Sequence, residues 1–342
     1  MFKIFCMATV LTPFYNKMFT SEFSRLDFKC TGASMVFSIE WEADEIFSQE
    51  YFPDDDHIVT VYDIDKLLES YFDGLCDSFD FFVDGALVKH VSVFTCRINI
   101  SESADTFYTD FFFTPCTGER DTALGRYETL TLYAGKNTSV DAVCTYFTAD
   151  ETLVTKTKHI ADTSVGLMID VSPSKFIDDA GELVSYVIHA GARYMPYRVL
   201  ESVPDADPAF IFKNCFGCWE TIYLIGAKET VPTYTRSNAV VGGNAVMYDI
   251  QEVMSYKADT GPLRPGMVPA DLARAKDVFL LKKDGTAGDR ITITEVDVKH
   301  TNEDNSLPDF TFTYRRADRR SSMIDVVRPP KLFDDTFDET YE

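Results

Sequence analysis

Short runs of β-branched and aromatic residues, most of them closed by a turn containing Gly, Asn or Asp, recur along most of this 342-residue chain. Such residues fit a pleated, half-buried surface. A chain built from them must pack sheets against one another. In the first half of "MVFSIEWEADEIF", residues 35–47, Val36 apart, Ser38, Glu40 and Glu42 interleave with Phe37, Ile39 and Trp41, the two-residue period of a half-buried strand. Asp84-Gly85 lies between two strand-like runs and is a strong hairpin signal. Ala190-Gly191 divides "ELVSYVIHAGARYMPYRVL" into two strands, and "VVGGNAV" lacks a phosphate-loop Lys and reads as a turn. "DVFLLKKDGTAGDRITITEVDVKH" reads as a further hairpin and "DFTFTYRR" as a last strand.

Only two segments change period. In "DIDKLLESYF", Ile64, Leu67, Leu68, Tyr71 and Phe72 follow the spacing of an amphipathic helix, with Asp63 placed as its N-cap. "PADLARAK" reads as a second short helix, with Pro269 in its first turn. Residues 104–128 are less regular. The expected fold class is therefore mainly β, with two packed β-sandwich-like units and two short helices. The expected divisions are an N-terminal β domain with one short helix at 1–165, a C-terminal β domain at 166–328, and an acidic tail at 329–342.

Apolar residues make up 45% of the chain, enough for a substantial core, and no apolar run reaches the length of a membrane span. The net charge of −23 argues against sequence-specific nucleic-acid binding, which depends on Lys and Arg neutralising phosphates. The eight Cys lie mostly inside apolar runs, which favours reduced thiols and a cytoplasmic origin. The opening "MFKIFCMATVLTPF" reads as a first strand, because a secretory signal needs a longer apolar region.

Chemistry-bearing patterns are sparse. Cys215 and Cys218 form a C-x-x-C, but no second pair stands at zinc-ribbon spacing, and strand-forming residues follow where a redox site needs a helix. The five His are isolated from one another, and no G-x-S-x-G elbow occurs. "PDDDH" and "PDADP" carry carboxylates for a hard cation, without an EF-hand register. No catalytic, cofactor-binding or metal-binding residue is assigned. Arg315, Arg316, Arg319 and Arg320 cluster in an otherwise acidic chain. They are candidate interface residues, with Asp334, Asp335, Asp338, Glu339 and Glu342 of the tail as carboxylate partners, in cis or in trans.

Three stretches together resemble a known group. They are "EIFSQEYFPDDDHIVTVYDIDKLLESYF", "FIFKNCFGCWETIYLIG" and "DRITITEVDVKHTNEDNSLPDFTFTYRRADR". The chain is similar here to tail or baseplate structural proteins of phages and prophages of gut Bacteroidetes. In the middle stretch Asn214, Gly217, Trp219 and Glu220 match the group's pattern, whereas the two Cys positions are not fixed as Cys. The resemblance implies a non-enzymatic structural protein of a virion tail, near its tip, working in a ring-like homo-oligomer. Its partners would be copies of itself and other tail proteins, with no membrane partner, and DNA would pass through the assembly. The alternative is a secreted β-sandwich that binds carbohydrate through exposed aromatics, which requires an export signal.

Overall fold

The computed structural model describes residues 8–72, 74–116, 118–201, 208–261, 270–299 and 309–317. The first sandwich is made of β1 (Thr9–Val10), β2 (Lys17–Phe19), β3 (Arg25–Lys29), β4 (Met35–Trp41), β5 (Asp44–Tyr51), β6 (Ile58–Tyr62), β7 (Cys76–Val83) and β8 (Ala86–Phe94), with helix α1 (Ile64–Glu69) after β6. Sheet β1-β3-β6 covers sheet β2-β8-β7-β4-β5. Inward positions alternate as the period requires. Leu26 and Phe28 meet Phe37, Ile39, Phe79 and Phe81, all fully buried. Each such aromatic contributes roughly 2–3 kcal/mol through apolar burial.

The first half of the 35–47 run is strand as read, β4; the chain then reverses at Glu42 and Ala43, which take the left-handed conformation (φ 51° and 69°), so β4 and β5 form a hairpin. One local expectation is corrected. Asp63 precedes α1 but is itself left-handed (φ 61°) and makes no side-chain cap bond; its carboxylate pairs instead with Lys66 at 2.5 Å. The Asp84-Gly85 turn stands as read, with both residues at positive φ between Val83 and Ala86.

Helix α2 (Ala104–Asp110) follows, in the segment that looked irregular. Its cap is Ser103, whose side chain accepts from the Thr106 N–H at 3.2 Å.

The second sandwich contains β9 (Arg120–Thr122), β10 (Thr129–Tyr133), β11 (Thr138–Phe147), β12 (Leu153–Thr163), β13 (Gly166–Asp170), β14 (Glu182–Ala190) and β15 (Arg193–Val199). Pair β10-β13 packs on sheet β12-β11-β14-β15-β9, around Leu130, Leu132, Tyr146, Tyr186 and Tyr197. A boundary at residue 165 runs through this sandwich. β13 returns to β10, and β14 returns to β11, across that point.

Both sandwiches thus lie before residue 200, and the remaining strands build a third unit. It comprises β16 (Ala209–Lys213), β17 (Trp219–Tyr223), β18 (Lys228–Val241), β19 (Asn244–Asp259), β20 (Val278–Leu281), β21 (Ala287–Lys299) and β22 (Asp309–Arg316), with helix α3 (Ala270–Arg274). These strands form one sheet in the order β17-β16-β20-β21-β22-β19-β18. Its core is Phe210, Ile222, Leu272, Phe312 and Tyr314. The hairpin at "VVGGNAV" is the turn expected, with Gly242 and Gly243 at φ 60° and 83°. The architecture is mainly β; three α-helices occur among the described residues, one more than the periodicity showed. Pro269 and the 329–342 tail lie outside the described residues, as do residues 1–7 at the head of the expected first strand. None of the described helices is long and apolar enough to cross a membrane.

Candidate functional site

Between β16 and β17 the chain reverses over Asn214–Cys218, the C-x-x-C stretch. Asn214 organises the turn. Its Oδ1 accepts from the N–H groups of Phe216 and Cys218, both at 3.0 Å. Its Nδ2 donates to the carbonyl of Phe113 and to Glu220 Oε2, both at 2.9 Å. Gly217 is left-handed (φ 71°), and a Cβ there would touch Thr95 Cγ2 at 3.4 Å. The left-handed backbone favours glycine here, since any other side chain adds strain to that conformation. Phe216 is driven into a cluster with Phe19, Phe94, Phe107 and Phe113, where rings from β2, β8, α2 and the following segment meet.

The two thiols of this turn are packing groups. Cys215 is buried beside Cys96; the hydrogen bond between their thiols, together with burial, pushes the Cys215 thiol far above its ordinary pKa. Burial pushes Cys218 up to about 12. Neither is a ready thiolate. Cys76, Cys96, Cys116, Cys144, Cys215 and Cys218 are free thiols, and Cys6 lies outside the described residues. Among the described residues no three His, Cys, Asp or Glu side chains are placed to hold a metal. In "PDDDH" the Asp54 carboxylate instead closes its own turn, accepting from Asp56 N–H at 3.0 Å and Ile58 N–H at 2.8 Å.

Glu220 links the turn to the second sandwich. Its Oε1 accepts from Thr114 Oγ1 at 3.0 Å and from Arg120, which is only 6% exposed. Burial works against the Arg120 charge, but Glu220, Tyr197, Cys116 and Glu128 around it hold its pKa above the usual value. Glu128 is also buried, accepting from Thr122 Oγ1 at 3.0 Å; desolvation pushes its carboxyl up to about 7 despite Arg120 nearby. The cavity between Arg120, Arg126, Glu128 and Glu220 is about 70 Å³. That is room for a water or two and too little for a substrate. The network is a structural joint, whose buried ions are held by mutual pairing.

Arg315 and Arg316 end β22 at the root of the β18–β19 hairpin. Arg315 Nε donates to Ser255 Oγ of β19 at 3.0 Å, and Arg316 lies 3.7 Å from Asp289. Arg319, Arg320, Asp334, Asp335, Asp338, Glu339 and Glu342 lie outside the described residues.

The hairpin itself was legible only as a turn. β19 is supported by β22 solely at Tyr256–Asp259, so the paired segment from Pro232↔Met254 to Val241↔Asn244 stands clear of the sheet. At about 3.4 Å per residue it reaches roughly 30 Å. Val231, Tyr234, Val240, Val246, Met247 and Ile250 along it are exposed, Val240 by 78%.

No protein-family model matches the chain, and no curated protein matches it. Two solved structures show a partial similarity. One is the virion of a native gene transfer agent particle: 14% identity, TM-score 0.22, over 32% of this chain and 91% of the matched one. The other is the tail of an empty gene transfer agent particle with C6 symmetry: 15% identity, TM-score 0.23, over 34% of this chain and 96% of the matched one. Scores of this size fall short of a shared fold.

Proposed function

We propose that this protein is a non-enzymatic structural component of a phage-type tail, placed near the tip or baseplate and working in a ring-like assembly. The observation that carries the reading is the β18–β19 arm. A two-stranded ribbon is marginal by itself in water, and this one leaves both faces exposed over some ten residues per strand. Such an arm acquires its stability from a second surface, which makes the chain an assembly part. The joints elsewhere are built for rigidity: a ring cluster and a buried ion network fix three sheets to one another. The three sequence stretches that resemble tail proteins supply the kind of assembly. Asn214, Gly217 and Glu220, which match that pattern, are the residues that build the rigid turn.

The test is incorporation. Particles are purified from the host that carries the gene, and the chain is quantified in them by mass spectrometry. Several copies per particle are expected, together with loss of the chain from particles when 232–254 is replaced by a two-residue turn. A chain found only outside particles overturns the reading, and enrichment on immobilised polysaccharide would favour the carbohydrate-binding alternative.

A further inference from the structure

The arm is two-faced. Cross-strand neighbours share a side of a ribbon, and the register places Pro232 with Met254, Tyr234 with Glu252, Arg236 with Ile250, Asn238 with Met247, and Val240 with Ala245 on one side. The opposite side carries Thr233, Thr235, Ser237, Gln251 and Asp249, together with Ala239, Val246 and Val253. The first face is the more apolar of the two, and its charges are one cation, Arg236, and one anion, Glu252, on diagonal positions.

The second sandwich has a matching hole at one end. The end of β11, the starts of β12 and β14 and the end of β15 leave a cavity of about 470 Å³, lined by Leu124, Phe147, Leu153, Leu183, Val184 and Val199. Phe147, Leu124 and Leu153 are 43%, 55% and 65% exposed. Glu182 and Glu201 stand in its wall.

We propose that the outer apolar side chains of the arm of one copy, Val240, Met247 and Ile250, enter this cavity on a second copy, with Arg236 set against Glu182 and Glu201. The inference rests on the assembly role argued above and names the contact that would build it. Two observations favour a second copy as the occupant. First, the charges complement: Arg236, the one cation on the first face, has a single carboxylate, Glu252, beside it on the arm and meets two at the cavity wall. Second, the whole chain carries −23, yet residues 228–257 hold three cations and three anions, so the arm is a segment that another acidic copy can approach without repulsion. Arm and cavity are different surfaces, so the contact is head-to-tail and closes into a ring or extends as a filament.

Complementation tests this directly. The arm variant V240D/I250D keeps its cavity; the cavity variant L124D/L153D keeps its arm. All four positions are exposed, and circular dichroism with a melting curve checks that each chain folds. Wild-type protein is expected to form multimers in sedimentation velocity, each variant alone to stay monomeric, and their equimolar mixture to form a dimer that grows no further. R236E should weaken self-association by about two- to fivefold, the range of an exposed ion pair, and E182K/E201K should restore it. Variants that assemble like wild type overturn the docking contact while leaving the tail reading in place. A wild-type chain that stays monomeric at the highest attainable concentration also overturns it. The tail reading fails separately, by absence of the chain from particles.

Discussion

The Glu128 carboxyl offers the sharpest physical test of the buried joint. Desolvation raises its pKa from 4.5 to about 7 in the folded chain. A carboxyl raised on folding binds more protons in the folded state. Its stabilising effect is therefore complete below pH 4.5 and is lost as pH rises through 7. At about 1.4 kcal/mol per pKa unit the full loss is roughly 3 kcal/mol, of which about 2.5 kcal/mol falls between pH 5 and pH 8. Glu128→Gln keeps the shape, an acceptor for Thr122 and the neutral state. Urea unfolding of both proteins at pH 5, 6, 7 and 8 should show the variant gaining about 2.5 kcal/mol on wild type between pH 5 and pH 8, with most of the change between pH 5 and 7. Measuring the difference cancels Asp271 and Glu22, whose carboxyls burial also raises. A difference that does not move with pH, or a variant weaker than wild type at pH 8, would mean that Glu128 is ionised and pairs with Arg120 and Arg126.

Other outcomes follow from the same geometry. Asn214→Ala removes the acceptor of two buried N–H groups and should cost about 2–4 kcal/mol in urea unfolding; a cost near zero would refute its organising role. The thiols of Cys96, Cys215 and Cys218 should titrate as reduced and react only on unfolding, and metal analysis should find no stoichiometric zinc. One zinc per chain released only by denaturation would contradict this. Replacing Arg315, Arg316, Arg319 and Arg320 with Glu should leave the fold intact and weaken assembly, and wild-type assemblies should loosen as salt rises; normal assembly of the quadruple variant at low salt would make the cluster a solvated strand end.

What the chain reveals of itself divides by range. Turn chemistry is local, so Asp84-Gly85 and Gly242-Gly243 announced their hairpins. Glu42-Ala43 did not, because neither residue marks a left-handed turn as Gly does. α2 was hidden because its apolar side is short; Ser103 before it and the four-residue spacing of Phe107 and Phe111 were the available signals. The division at residue 165 failed to anticipate the return of β13 to β10, since pairing across some forty residues leaves no trace in periodicity. For the same reason Glu220 could be singled out by pattern, but not its partner Arg120, a hundred residues earlier. The arm's exposure was equally invisible, because alternation reports a period and not whether anything covers it.

The continuity of β19 has a mechanical consequence. The strand leaves the tip of the arm and runs without interruption into the third sheet, where Tyr256–Asp259 pair with β22. A pull on the arm along its length therefore loads those hydrogen bonds sideways, all together, instead of peeling them one after another. From the sheet the force passes through the Asn214–Cys218 turn into the rings around Phe216, and so into the first sandwich. The Glu220–Arg120 pair carries it into the second. Tension applied at the tip is thus shared among three cores.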